Sequence, residues 1–149
     1  MSVSITFHSE DVDFHLVNEK KRIKWIKNSI KNEAKTVGEI SYIFCSDEYL
    51  HKMNLEYLNH DTFTDIITFD YTEENIVSGD IFISIDRVKE NALKFNTSIN
   101  SVQAFENELS RVIIHGVLHL MGYKDKSAQQ KEQMRSKEDF YLTLLIEKG

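Results

Sequence analysis

Residues 101–125 read SVQAFENELSRVIIHGVLHLMGYKD, and the spacing within this stretch decides how the rest of the chain is read. Val102, Phe105, Leu109, Val112, Ile113, Val117 and Leu120 recur at helical intervals, so a long amphipathic helix is predicted from Ser101 to Gly122. Gly122 permits a positive φ and stops it. His115 and His119 stand four residues apart on one face, with β-carbons about 5–6 Å apart, able to grip one ion. Beyond the glycine the chain can fold back, so that Asp125 approaches the same ion from outside the helix. Two neutral imidazoles and one carboxylate leave a fourth position for water, the catalytic rather than the structural arrangement for zinc. An ion so held lowers the pKa of its water toward about 7.

Outward from this helix, the pattern alternates strands with helices. Val3, Ile5 and Phe7 alternate and suggest a strand over residues 2–7. From about Asp13 to Lys35 the pattern is helical, with Leu16, Ile23, Ile26, Ile30 and Ala34 near one face and Lys20, Lys24, Lys27, Lys31 and Lys35 along another. Glu39–Cys45 is β-rich. Ser46 and Asp47 offer an N-cap for a helix to about Leu58. Ile66–Asp70 and Gly79–Ile85 read as strands, Asp86 as a cap for a helix to about Phe95, and Ser127 as the cap of a last helix through about Ile146. The expectation is an α+β domain spanning 1–149: a small, mostly parallel or mixed sheet of about four strands flanked by about five helices. No repeat, low-complexity tract or linker interrupts it.

Composition narrows the function classes. With 24 acids against 18 bases the net charge is −6, which excludes a wholly basic nucleic-acid coat, so any RNA contact must use a local basic patch. Cys45, the single cysteine, cannot form an internal disulfide and suits a reducing compartment. No apolar run approaches the roughly 20 residues of a bilayer span. Met1–Glu10 lacks a basic segment followed by an apolar stretch, so no secretion signal is expected, and a cytoplasmic location is.

The spacing H-x3-H-x2-G-x2-D parallels the zincin pattern H-E-x-x-H-x-x-G-x-x-H. Here Gly116 stands where that pattern has its general-base Glu, which argues against a peptidase. The segment resembles the signature H-G-x-L-H-L-x-G-Y-D-H of the YbeY family of metal-dependent endoribonucleases, matching at His115, Gly116, Leu118, His119, Leu120, Gly122 and Tyr123. Asn54, Tyr57, Asp61, Thr64, Asp65 and Phe69 sit where that family carries N-x-x-Y-R-x-x-D-x-P-T-D-V-L-S-F, and Gly79-Asp80-Ile81 matches its G-D-I strand. The resemblance implies a zinc-dependent, single-strand-specific endoribonuclease acting in 16S rRNA 3′-end maturation and ribosome quality control, with ribosomal RNA and the small ribosomal subunit as partners. The alternative is a ribosome-associated RNA-binding factor with weak or vestigial nuclease activity.

Three departures bear on chemistry. Asp125 replaces the family's third His, with Lys124 before it; a carboxylate oxygen binds zinc at roughly 2.0–2.2 Å but lowers its Lewis acidity and widens metal choice. Leu58 stands in the place of an arginine, the natural phosphate clamp. Phe63 replaces proline.

Other cations are therefore of interest. Arg111, four residues before His115, extends the stripe of the two imidazoles and is a candidate for charge stabilisation at a phosphate, against an ion pair as the bland reading. The α-helical lysines form a candidate rail for a phosphate backbone, and Lys124 and Lys126 flank Asp125. Asp65 and Asp80 are candidates for orienting the imidazoles by accepting their free N–H, or else for capping a turn. His8, His15, His51 and His60 lack metal-like spacing, Trp25 reads as core or rim, and Cys45 as buried.

Overall fold

Along one strand, Val77, Gly79, Ile81 and Ile83 alternate into the interior, and this strand takes partners on both edges. The computed structural model describes residues 4–95 and 100–147. In chain order these form β1 (Ser4–Ser9), α1 (Glu19–Asn32), β2 (Thr36–Cys45), α2 (Asp47–Leu58), β3 (Ile66–Asp70), β4 (Ile76–Ser84), α3 (Ile85–Phe95), α4 (Ser101–Leu120) and α5 (Ala128–Glu147). The sheet order is β1-β2-β4-β3. β1 runs parallel to β2 and β2 parallel to β4, while β3 lies antiparallel on the edge beside β4. This is the mixed four-stranded α+β arrangement that the alternation of strand and helix patterns suggests. Val3, part of the first expected strand, lies outside the described residues.

Side-chain alternation gives the sheet two different faces. The main core lies on one of them and joins Ile26 and Ile30 of α1, Tyr42 of β2, Ile81 and Ile83 of β4, and Ile113, Ile114 and Val117 of α4. A smaller cluster on the other face joins Cys45, Leu50 and Ile67, with Met53, Phe69 and Phe82 packed against it under α2. Two buried hydrogen bonds fix the helices in place. Tyr42 donates its phenol to the Ile113 carbonyl at 2.9 Å, and Trp25 donates its indole N–H to the Tyr141 carbonyl at 2.7 Å. Both Trp25 and Cys45 are buried, as expected.

Several boundaries differ from the sequence reading: β2 and β4 start at Thr36 and Ile76, each three residues earlier, and α1 ends at Asn32 rather than near Lys35. α1 begins at Glu19, not near Asp13. Val12, Phe14 and Leu16 alternate as an extended segment against the core, Phe14 edge-on to Phe44 with centroids 4.9 Å apart. Asn18 then turns the chain with a φ of 57°, and buried Arg22 secures the start by donating to the Val17 carbonyl, Ser110 and Glu106. Asp86 does not cap α3. Ser84 Oγ accepts from the Arg87 N–H, while the Asp86 carboxylate accepts from the Asp47 N–H at the start of α2. Ser46 and Ser127 cap as expected, accepting from the N–H of Tyr49 and Gln130. No helix among the described residues is long and apolar enough to cross a membrane.

Candidate metal centre

α4 carries the two histidines because its apolar face lies flat on the sheet and leaves the opposite edge open to a cleft. Contact is closest at Gly116, where a Cβ would meet Ile81 Cγ2 at 2.9 Å and Ile66 Cδ1 at 3.0 Å. That contact explains a glycine in mid-helix, where its propensity is poor. The helix ends at Leu120, and Gly122 adopts a φ of +100°. The chain doubles back there and brings Asp125 over the last turn.

Three ligand atoms converge as a result. His115 Nε2 and His119 Nε2 lie 3.0 Å apart, and Asp125 Oδ2 is 3.3 Å from the first and 3.4 Å from the second. Ligands about 2.0–2.1 Å from a tetrahedral zinc lie about 3.3 Å from one another, so the three edges have the size of one such face. Tautomers agree with this. Nδ1 of His119 is 2.9 Å from the Tyr123 carbonyl and Nδ1 of His115 is 2.6 Å from Glu138 Oε2. Both partners only accept, so each Nδ1 carries the proton and each Nε2 presents a lone pair. Two lone pairs and a carboxylate facing one another repel unless a cation lies among them, which is the donor set of a metal site.

The elements around the three residues hold them still. Glu138 of α5 is buried and divides its carboxylate, one oxygen accepting from His115 and the other from Arg111 Nη1 at 2.8 Å. Arg111 gives its other terminal nitrogen to Asp139 at 3.1 Å. Tyr123 donates its phenol to Glu33 at the end of α1 at 2.6 Å, and Glu33 also accepts from Tyr141 and Lys137.

The trio opens into a cleft of about 490 Å³ whose wall includes Asp65, Glu108, Arg111, Arg135 and Glu138. Burial lowers the His115 pKa, but the hydrogen bond and charge of Glu138 outweigh it and leave the group above its ordinary value. Burial, followed by the charge of His115, holds His119 below its ordinary value. Burial likewise raises the carboxyls of Asp65 and Glu108.

Several sequence candidates stand elsewhere. Asp65 lines the cleft but bonds neither imidazole, and Asp80 lies on the opposite sheet face, where it accepts from Tyr71. Glu138 and the Tyr123 carbonyl take the roles expected of those two. His51 pairs with Asp61 and stacks on Phe63, and His60 and Leu58 do not line the cleft. Of the five lysines expected on one helix face, Lys20, Lys24, Lys27 and Lys31 lie on α1, whereas Lys35 follows its end at Asn32 and shares a second open cleft with Gly122, Tyr123 and Lys124. Glu138, Glu33 and Arg135 were not legible as site residues, since each lies among other charged helical positions.

A family model described as Endoribonuclease YbeY matches residues 4–145. The chain belongs to the YbeY endoribonuclease family. Proteins named Endoribonuclease YbeY from Flavobacterium johnsoniae and Christiangramia forsetii are 57% and 53% identical to it, over 91% and 94% of this chain and 92% and 93% of their own. Among solved structures, the solution structure of a protein from Thermotoga maritima is similar, with a TM-score of 0.64 and 27% identity over 95% of this chain and 89% of that one. The YbeY relationship agrees with a nuclease rather than a peptidase.

Proposed function

We propose that this chain is a zinc-dependent hydrolase of RNA phosphodiesters, specific for single strands, that acts in maturing small-subunit ribosomal RNA in the cytoplasm. The observation that carries the reading is the convergence of Nε2 of His115, Nε2 of His119 and one carboxylate oxygen of Asp125, 3.0–3.4 Å apart, in the lining of an open cleft. His115, His119 and Asp125 would hold the ion. When bound, such an ion supplies a Lewis acid and a water of lowered pKa. The chain's own residues do the rest. Glu138 and the Tyr123 carbonyl keep the protons on Nδ1 and so aim both Nε2 atoms. Arg111, paired with Glu138 and Asp139, offsets the Glu138 charge beside His115 and so reduces its repulsion of a phosphate. Asp65 and Glu108 line the same cleft, where burial raises both carboxyls. Lys35 and Lys124, beside the second cleft, would add positive potential for the rest of a strand.

The test is zinc content and cleavage of an unstructured RNA by His115→Ala and His119→Ala. Each variant is expected to fold, to lose the ion and to lose cleavage. Cleavage at the wild-type rate by either variant overturns the reading.

A further inference from the structure

An anionic substrate approaching this cleft meets a wall rich in carboxylates. Asp65, Glu108, Asp125 and Glu138 all line it, against two arginines. Arg111 is not free to respond, since both terminal nitrogens are bonded, to Glu138 at 2.8 Å and Asp139 at 3.1 Å. Pulling it away would leave the buried Glu138 charge without its partner. Lys137, on the same helix, is committed to Glu33.

Arg135 differs. It is exposed and lines the cleft, three residues before Glu138 on α5 and so about one turn from the carboxylate that touches His115. Among the described residues it donates no hydrogen bond and forms no ion pair, although its charge is felt by Glu108 across the cleft.

We propose that Arg135 is the phosphate anchor of the cleft, taking the non-bridging oxygens of an RNA phosphodiester on its planar fork and setting the strand over the histidines. A guanidinium suits this because it pairs two oxygens at once and stays charged beside carboxylates. It also answers the local electrostatics, since it is the one cation of this wall, among the described residues, whose donors are unspent. The inference rests on the RNA-cleaving reading above, and its test separates the two.

The experiment compares wild type, Arg135→Gln and Arg135→Lys, each loaded with zinc. It measures cleavage kinetics on a short unstructured RNA and the salt dependence of binding to the same RNA. The glutamine variant should keep its zinc and melting temperature, because Arg135 bonds nothing in the fold. Its kcat/KM should fall about 10- to 100-fold, the range for one hydrogen-bonded charge on a phosphate. The loss should fall on KM with kcat held, as for contacts equal in ground and transition states. The slope of log affinity on log salt should drop by about 0.7, one single-strand phosphate. Lysine should restore the slope but only part of KM. A glutamine variant with wild-type kcat/KM, one that loses its zinc, or one whose loss lies in kcat with the salt slope unchanged, overturns the assignment. If wild type binds RNA without cutting it, the salt slope alone decides for Arg135 while the nuclease reading fails. If it does neither, both fail.

Discussion

The phenol of Tyr123 reaches Glu33 at 2.6 Å, while the carbonyl of the same tyrosine accepts from His119 at 2.9 Å. One residue of the loop therefore ties the end of α1 to the tautomer of a histidine at the end of α4. The loop carrying Asp125 is also held by the Tyr123 N–H donating to the Leu118 carbonyl and by the Tyr123 ring packing on the core, but Gly122 contributes no side chain and Lys124 is exposed. Tyr123→Phe keeps the carbonyl and the ring but releases the loop from α1. Zinc affinity is expected to fall about 10-fold, the lower end for groups that orient a ligand, with all three proposed ligands intact. Competition against a chelating dye measures it, and an unchanged affinity would mean that the loop is held without this bond.

Glu33 also makes stability depend on acid. Burial raises its pKa, but hydrogen bonds from Tyr123, Tyr141 and Lys137 outweigh burial and leave it below the ordinary carboxylate value. A depressed folded pKa stabilises the fold above the unfolded value of about 4.3 and is lost as pH falls through the folded one. Glu33→Gln should therefore melt lower than wild type at neutral pH, with the gap closing below about pH 4. A gap of constant size across that window would assign the effect to packing instead.

The carboxylate of Glu138 serves Arg111 and His115 together. Glutamine has one oxygen and one NH2 in the same space, so it satisfies one neighbour and opposes the other. Glu138→Gln is expected to cost 10- to 100-fold in zinc affinity, as for other carboxylates behind a ligating histidine. Glu138→Ala should also lower folding stability, by less than the ~3–5 kcal/mol of breaking a fully buried pair, because Arg111 is partly exposed and keeps Asp139 as a partner. Denaturant melts of the metal-free variants separate the two effects.

What could be read from the sequence, and what could not, divides along a physical line. α4, its stop at Gly122 and the three candidate ligands were legible because a 3.6-residue period and a glycine stop are local facts. The start of α1 was not, because Val12, Phe14 and Leu16 owe their conformation to Phe44 and Phe105 across the fold. Glu138 was missed for a different reason: it stands among charged neighbours along α5, although it falls on the helical spacing of Met134, Tyr141 and Leu145, which pack inward. Asp80 looked suitable by sequence alone, but strand alternation puts it on the face under α2, away from the histidines.

Gly116 shows the cost of bringing α4 so near the sheet. Alanine improves helix propensity by about 1 kcal/mol, yet its methyl would lie 2.9 Å from Ile81 Cγ2 and 3.0 Å from Ile66 Cδ1. Overpacking of this kind costs about 1–3 kcal/mol, so Gly116→Ala should destabilise by about 1 kcal/mol net and lower the melting temperature by about 2–4 °C. A variant more stable than wild type would show that the two isoleucines yield freely.

Metal and protons compete for the same lone pairs, and the two histidines respond differently. Burial lowers the His115 pKa but Glu138 raises it above the ordinary value, so at neutral pH a proton is the stronger rival there. His119, held below its ordinary value by burial and by its neighbour, gives up its proton more readily. In the metal-free protein these shifts oppose each other. The raised His115 contributes stability on the acid side that is lost as pH rises through its folded pKa, while the lowered His119 contributes stability that is lost as pH falls. A zinc ion held by the proposed ligands would remove the contest, since it requires both nitrogens bare. At a zinc concentration about 100 times Kd the fold should gain about 2.7 kcal/mol, or about 5–10 °C in melting temperature at about 2–4 °C per kcal/mol. That gain should shrink as pH is lowered, beginning above the ordinary imidazole value because His115 is raised there, and it should vanish in Asp125→Ala and His119→Ala. Thermal melts with and without zinc across that range test it. A gain that survives acid pH, or persists in either variant, would place the ion somewhere other than among these three side chains.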